Sequence, residues 1–522
     1  MACATLRIRP PRERTRPGPA APLLMSLFRE NVLANYAGRA WSGLMSLVFI
    51  PVYIGFMGIE SYGLVGFFIT LQIVFSLLDM GLSTALNREL ARSSADRDDA
   101  GDTRNLVRTL EIVYCFMAGG IALVVAVLAP LIASHWISGS ALSAQTVGGA
   151  VQLMGLTLAL QWPFALYSGG LMGLQRQVLL NVVTIIMATL RWGGAALILW
   201  LVTPTIQAFF MWQVLVSAAQ TLVTGIALWK CLPAVSRPAR FEKRALIRIW
   251  RFAAGMTGIS AMAIILTQLD KIILSKLLPL EMFGYYTLAA VVASGLYLLV
   301  TPIFSAAFPN FSQLVAVGDA SGLKNRYHQI CQLASVVVLP PAIVLTLFAK
   351  EILLVWTQDP VTTANTHLLV SVLAVGTALN SLLNLPYALQ LAHGRTRFAF
   401  YTNVLAVALL VPTIIWATTR YGALGAALTW VALNCGYVFI GLPLMHKWLL
   451  VGELKRWYLV DVGLPMLASL AVALLGRWWF PAQAASVPMV FWLLFVSVAT
   501  LLAAVWAVPF TRRRYVRGGA PV

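Results

Sequence analysis

The chain has 522 residues, 60% of them hydrophobic and only 11% charged, with a mean hydropathy of +0.83. So few polar side chains cannot cover a water-soluble body of this size; the composition is that of an integral membrane protein and excludes a sizeable soluble catalytic domain. The formal net charge of +19 would suggest nucleic acid in a soluble protein, but where the charges sit gives another reading.

Residues 1–24 interleave Arg7, Arg9, Arg12, Arg14 and Arg16 with five prolines and can bury nothing, which predicts a disordered basic tail. No short apolar core with a cleavage site follows, so this is not a signal peptide, and Met25 offers a second translation start directly before span-like sequence. Apolar stretches of about 20 residues then predict fourteen spans: 31–56, 61–84, 106–134, 148–169, 178–201, 205–230, 250–275, 282–307, 327–349, 366–391, 398–418, 422–446, 458–476 and 487–509. Backbone amides in hydrocarbon must be paired within the chain, so each span is predicted to be a helix and the fold class all-α.

Of the 37 Lys and Arg, 30 fall in the terminal segments, the loops on one side of this topology, or the span ends that border those loops (Arg108, Lys230 and Arg251). Lys276, Lys350, Arg420 and Arg477 fall on the other side, and Arg39, Arg191 and Lys271 within spans. Positive loops stay in the cytoplasm, which predicts both termini inside and a multi-pass protein of the cytoplasmic membrane. Positive charge spread over inner loops, with no single basic face, also removes the nucleic-acid reading.

An internal repeat is visible. Glu60-Ser61-Tyr62-Gly63 matches Glu281-Met282-Phe283-Gly284 at a shift of 221, Asn181 matches Asn403 at 222, and Pro163 matches Pro386 at 223. A duplicated six-helix unit follows, and because six is even both copies start from the same side, so a pseudo-two-fold along the membrane normal relates them. The expected division is a tail (1–24), a first lobe (25–232, spans 1–6), a second lobe (233–449, spans 7–12), two additional spans (450–510) and a basic tail (511–522).

Polar groups inside spans mark candidate functional positions. Asn31, Asn35, Arg39, Ser42 and Ser46 share one face of the first helix. An arginine in hydrocarbon costs roughly 3 kcal/mol or more unless it meets water or a partner. Arg39 is therefore expected to face a polar cavity, the alternative being that it snorkels to the near surface. Asp270 and Lys271 are adjacent and point about 100° apart on a helix, which predicts that they do not pair face to face; Lys271 shares a stripe with Thr257, Ser260, Ile264, Thr267 and Ser275. Asp270 is expected to act in an ion pair or gate with a base from another helix. Arg191, beside Trp192, Gly193 and Gly194, either faces the path or pairs with an acid. Asp79, Glu111 and Asp461 lie near span ends, where headgroups or water are in reach, and Arg88 stands at the cytoplasmic mouth. Three bases against one acid within the spans favour an anionic cargo.

No catalytic or metal constellation stands out. The five cysteines and five histidines are scattered singly, giving no disulfide framework, metal site or cofactor. Asp96-Arg97-Asp98-Asp99 contains an Asp-x-Asp match, but it lies in a run of alternating charges with no soluble domain around it.

Phe49-Ile50-Pro51-Val52-Tyr53, Gly58-Ile59-Glu60-Ser61-Tyr62-Gly63, Leu78-Asp79-Met80-Gly81-Leu82 and Asn87-Arg88-Glu89 together resemble the opening hairpin of bacterial oligosaccharide (O-antigen type) flippases. That family is the polysaccharide-transporter branch of the multidrug/oligosaccharidyl-lipid/polysaccharide exporter superfamily. Gln268-Leu269-Asp270-Lys271 followed by Glu281-Met282-Phe283-Gly284-Tyr285-Tyr286 is similar to its seventh span and turn, as is Gly173-Leu174-Gln175-Arg176 leading to Asn181. The resemblance spans roughly residues 26–450. It implies two V-shaped six-helix lobes that alternate between inward and outward openings and move an undecaprenyl-pyrophosphate-linked oligosaccharide from the cytoplasmic to the periplasmic leaflet. Substrate contacts would come from Arg39, Asn35, Arg191 and Lys271. Implied partners are the lipid-linked substrate, membrane lipids, and polysaccharide polymerase and chain-length machinery. A cation-coupled multidrug exporter and a lipid-linked peptidoglycan-precursor flippase of the same superfamily stay open as readings, as does, from another class, a membrane O-antigen polymerase or ligase.

Overall fold

The computed structural model describes residues 21–93, 100–137, 140–233, 235, 238–244, 246–247, 267–394, 396–480 and 486–510. Among them fourteen α-helices of eight residues or more carry the fold, beside the three-residue Leu454–Arg456, and no strand occurs. The first lobe contains α1 (Ala21–Phe75), α2 (Leu82–Ser93), α3 (Ala100–Leu131), α4 (Ala144–Gly173), α5 (Gln177–Leu201) and α6 (Ile206–Cys231). The second contains helical residues 267–277, then α7 (Leu280–Val317), α8 (Ala320–Leu347), α9 (Ala349–Thr357), α10 (Pro360–Ala392), α11 (Thr396–Gly436) and α12 (Leu442–Leu449). α13 (Leu464–Trp478) and α14 (Ser486–Ala507) follow. The first helix starts at Ala21, four residues inside the predicted tail, with Pro22 in its first turn, where a missing amide proton costs nothing.

Eleven segments are long and apolar enough to cross a membrane. Two of them, Leu33–Asp79 and Phe400–Leu449, have 47 and 50 residues, and a straight helix of that length would reach roughly 70–75 Å, more than twice the hydrocarbon thickness. Each is broken by a glycine in a conformation L side chains avoid, Gly58 at φ 78° and Gly422 at φ 60°. Each segment therefore doubles back as two spans, giving thirteen among the described residues. The predicted seventh span lies largely outside them, as do Asp96–Asp99 and the stripe positions Thr257, Ser260 and Ile264.

The duplicated unit appears as reciprocal contacts. A Cβ on Gly63 would lie 2.6 Å from the Leu280 carbonyl oxygen, and one on Gly284 would lie 2.5 Å from that of Ile59. Under the shift of 221, Gly63 maps onto Gly284 and Ile59 onto Leu280, so each contact is the image of the other. A Cβ on Gly66 would strike Thr287, its own image, at 2.5 Å, which puts the axis between those two residues. The helices that meet there, the second arm of α1 and α7, start from equivalent turns at Gly58 and Pro279. An axis parallel to the bundle makes such images run side by side in the same direction, as the paired contacts do. Small residues let backbones approach where water gives no hydrophobic drive between helices; Gly169 and Gly173 of α4 do the same beneath α2.

The two ends of the bundle differ. At the end of the Gly58 and Pro279 turns, the largest apolar core runs unbroken from the first lobe into Leu274, Phe283, Leu353, Leu369 and Ala426 of the second. At the opposite end, which carries Asp79, Arg176, Gly318 and Gly394, the second lobe has its own core around Phe311, Tyr327, Leu385 and Met445. We call these the closed and the open end.

α13 and α14 pack on α8 and α9. The Arg477 guanidinium pairs with Glu351 at 2.6 Å. Asp461, expected near a surface, is instead fully buried in a π-helical turn (Trp457–Gly463), where His328 of α8 meets it and Gln332 donates to it at 2.8 Å. Glu453, 3.2 Å from the other His328 nitrogen and from Lys324, completes this cluster. A buried carboxylate needs such partners, and α8 supplies them.

Candidate functional site: a polar cleft between the lobes

The first span places its polar stripe between two neighbours. Asn35 donates to the Gln177 side chain at 2.6 Å and accepts from Asn181 at 2.6 Å; Asn31 donates to Gln175 at 3.4 Å. Gly38 sits against Asn181, and Tyr53 donates to the Trp192 carbonyl at 2.5 Å. This face is a seam to α5. Ser42 and Ser46 spend their hydroxyls on carbonyls of their own helix. About 80° around the helix, Gly43 meets Leu298 of α7, and the Leu47 carbonyl accepts from Trp356 at 3.2 Å, which forms the seam to the second lobe.

Arg39 lies between these seams, one turn from Gly43 toward the open end. It is exposed and makes no hydrogen bond or ion pair within the described residues. Its guanidinium therefore lies on the arc of the helix between the seam to α5 and the seam to the second lobe.

Lys271 sits deeper. Its repeat image is Ile50, eleven residues beyond Arg39, so the two bases stand at depths about 16 Å apart at 1.5 Å per residue. Lys271 corrects one expectation. Its ammonium folds back to 3.3 Å from both Asp270 oxygens and donates to the Thr267 carbonyl at 3.2 Å. Four methylenes let the amine cross the angle that a short side chain could not. Tyr286 of α7 also donates to Asp270, at 2.9 Å, so the partner expected from another helix is a phenol instead of a base. Ser275, on the Lys271 stripe, accepts from Trp136 of the first lobe at 3.0 Å. This part of the second lobe therefore lies against the first.

Arg191 neither lines the gap nor pairs with an acid. It is held in the seam between α5 and α6, donating to Gln213 at 2.9 Å, Ser217 at 3.2 Å and Gln220 at 2.9 Å. Those three acceptors follow one stripe of α6 at steps of four and three, a pattern visible in the sequence once the neighbouring helix is known. Asp79 has no basic partner among the described residues; Tyr114 and Ser83 donate to it, and they fix the turn at Met80 and Gly81, both in the left-handed region, from which α2 starts. Arg88 is exposed on α2 at the open end. Of the sequence-derived candidates, then, Arg39 is exposed on the arc of α1 between its two seams, the Asp270–Lys271 pair lies deeper in the second lobe, Arg88 flanks the open end, and Asn35 and Arg191 belong to seams of the first lobe. Sequence reasoning missed a polar chain in the second lobe, in which Tyr297 donates to Asn380 at 3.0 Å and Asn380 to Asn434 at 2.8 Å.

Two pseudo-symmetric helical lobes that share a core at one end, with separate cores at the other and an arginine that has no partner among the described residues on the arc between the seams, define a membrane transporter fold. The chain belongs to the polysaccharide biosynthesis protein family, whose sequence model matches residues 28–315. It is 21% identical over 410 residues to a Shigella flexneri protein described as "Putative O-antigen transporter", covering 78% of this chain and 94% of that one. Among solved structures, the lipid II flippase MurJ in an inward closed conformation superposes with a TM-score of 0.67 at 12% identity, covering 94% of this chain and 99% of that one. An inward-facing multidrug resistance MATE family transporter of the MOP superfamily gives 0.63 at 15% identity, covering 80% and 96%. At these identities the structural likeness establishes the fold.

Proposed function

We propose that this chain moves a lipid-linked oligosaccharide, carried on undecaprenyl pyrophosphate, from the cytoplasmic to the periplasmic leaflet of the bacterial inner membrane by alternating access. Membership of a polysaccharide biosynthesis family and likeness to an O-antigen transporter support the cargo class. The observation that carries the reading is Arg39: an exposed guanidinium with no partner among the described residues, on the arc of α1 between its seams to α5 and to the second lobe. A diphosphate is the natural partner of such a group, because its oxygens accept bidentate, charge-assisted bonds. Asp270 already offsets much of the Lys271 charge, so in this state Arg39 is the base on offer and Lys271 lies further along the path. Asn35 and Arg191 act at one remove, by fixing α5 against α1 and α6.

The positively charged loops cluster at the open end, so under the positive-inside rule this state faces the cytoplasm. Closing that end and parting the reciprocal glycine contacts would present the cargo to the opposite leaflet. The division into lobes at 25–232 and 233–449, with two added spans, follows the repeat. A lipid-linked peptidoglycan precursor is the second reading, favoured by the two added helices and by the fourteen spans that the sequence predicts; it shares the polyprenyl diphosphate and therefore the Arg39 chemistry.

The test is deletion of this chain in its host. Lipid-linked oligosaccharide should accumulate on the cytoplasmic face, with loss of the exported glycan, and the intact gene should restore export. Normal export in the deletion strain would overturn the reading, and accumulation of peptidoglycan precursor would transfer it to the second.

A further inference from the structure

The second lobe contains a cavity of about 390 Å³ beside Thr267, between α10 and the two arms of α11, which nothing above uses. Its wall sets amides and aromatics, Asn380, Asn384, Gln390, Asn403, Trp430 and Tyr387 among them, beside Leu383, Pro386 and Leu442, and holds no Asp, Glu, Lys or Arg among the described residues. Several of its polar atoms are free. Asn384 donates to carbonyls of its own helix at 3.1 and 3.2 Å, which leaves its carboxamide oxygen without a partner. Asn403 accepts from Tyr437 at 3.3 Å but donates to nothing, and the Gln390 amide makes no hydrogen bond at all within the described residues. Uncharged donors and acceptors beside flat rings suit sugar hydroxyls and the apolar faces of pyranoses, and suit neither a phosphate nor a cation.

Next to it lies a groove of about 500 Å³ with a different lining. Leu405, Leu409 and Thr413 of the first arm of α11 face Leu433, Gly436 and Ile440 across it. From Tyr401 to Thr413 the groove follows one face of a helix for about 18 Å at 1.5 Å per residue. Cavity and groove share Thr402, Leu433, Tyr437 and Gly441 as a common wall. A π-helical turn, Tyr437–Gly441, forms part of that wall and widens the helix there. Thr402 is only six residues, about 9 Å, from the start of α11 at the open end, so the common wall sits near headgroup depth while the groove runs from it toward the bilayer middle.

We infer that cavity and groove together form a loading site for one amphiphile in the open-end leaflet, the glycan entering the amide cavity and the polyprenyl chain lying in the apolar groove. The linking diphosphate then stays at the shared wall, at a depth where water and headgroups reach it, so the charge-free lining is no obstacle. The inference rests on the cargo class proposed above and deepens it, since it assigns the second lobe a glycan subsite.

Gly436 provides the test. It has helical dihedrals, and a Cβ there would meet nothing within 4 Å, so Gly436→Trp and Gly436→Leu start a groove-filling side chain from an unobstructed Cβ. The purified full chain in nanodiscs is titrated with undecaprenyl phosphate, which has the tail but no sugar, and with an undecaprenyl-diphosphate-linked saccharide. Both Gly436 variants should weaken both ligands about tenfold or more. Asn384→Ala combined with Gln390→Ala should weaken only the saccharide-bearing one, by about tenfold, the loss of roughly two hydrogen bonds. Independently of any variant, an undecaprenyl phosphate carrying a diazirine on its chain should label peptides from 401–413 and 429–444 of the native chain. Unchanged affinities in these variants, or label confined to other segments, would overturn the loading site while leaving the flippase reading in place. A native chain that binds neither ligand would remove both.

Discussion

Replacing Gly284 by alanine tests how the two lobes are sealed. The added Cβ would lie 2.5 Å from the Ile59 carbonyl oxygen and 3.1 Å from Ile59 Cγ1, about 0.9 Å short of the separation at which ordinary contact begins. The obstacle is backbone, which cannot swing aside, so the helices must part. Overpacking of this kind costs typically 1–3 kcal/mol. The cost falls only on the state in which the closed end is shut, so it converts directly into a population shift of about 5- to 150-fold toward parting at that end. Spin labels at Phe56 and Leu277, exposed positions related by the same shift of 221, would report it in pulsed electron resonance. The variant should move the distance distribution to longer values, and Gly63→Ala, the image of the same substitution against Leu280, should do so by a similar amount. An unchanged distribution in both variants, with the protein folded, would refute the claim that these glycines set the closed end.

Three further outcomes follow from named contacts. Arg39→Ala should lower translocation of lipid-linked saccharide by about 10- to 100-fold, the worth of a charge-assisted bond, with no loss of thermal stability because Arg39 holds nothing in the fold; Arg39→Lys should recover part of the activity. Arg191→Met should cost about 2–4 kcal/mol of stability, since Gln213, Ser217 and Gln220 lose their common donor. This appears as a lower unfolding temperature in detergent, with activity per folded molecule within about twofold of the native chain. Asp359 caps α10 by accepting from the amides of Val361 at 3.0 Å and Thr362 at 3.2 Å. The Thr362 hydroxyl and these amides hold its carboxyl below the usual carboxylate range despite some burial. Asp359→Ala should therefore cost about 0.5–1 kcal/mol at pH 7. A depressed carboxyl contributes stability above its unfolded pKa and loses it as pH falls through the lower folded value, so the gap to the variant in unfolding temperature should narrow below about pH 4.

Much of the architecture could be read from the sequence because the bilayer restricts the choices. Length and hydropathy locate spans, and the shift of 221 in Glu60–Gly63 and Glu281–Gly284 returns in the structure as contacts between those same turns. Side-chain partners were harder to read. Nothing in one sequence says which helix lies beside Arg191, so the waiting stripe at Gln213, Ser217 and Gln220 carried no message until α5 and α6 were seen together. The Asp270–Lys271 pair defeats a rule about helix faces because a lysine side chain is long enough to bend back. His328 and Asp461 stand 133 residues apart, and only the docking of the added spans makes their burial tolerable. The second-lobe cavity was invisible for a related reason: its asparagines come from two separate helices, and each alone resembles ordinary interhelical glue.

The most direct test of the central claim is translocation itself. The purified chain is reconstituted into liposomes that hold an undecaprenyl-diphosphate-linked saccharide, and a membrane-impermeant glycosidase or lectin reads the sugar on the outer leaflet over time. The native chain should bring most of the saccharide within reach of the probe, while Arg39→Ala, equally well inserted, should stay close to protein-free liposomes. Native protein no faster than empty liposomes, with the cargo family and energy supply of the host provided, would contradict the account.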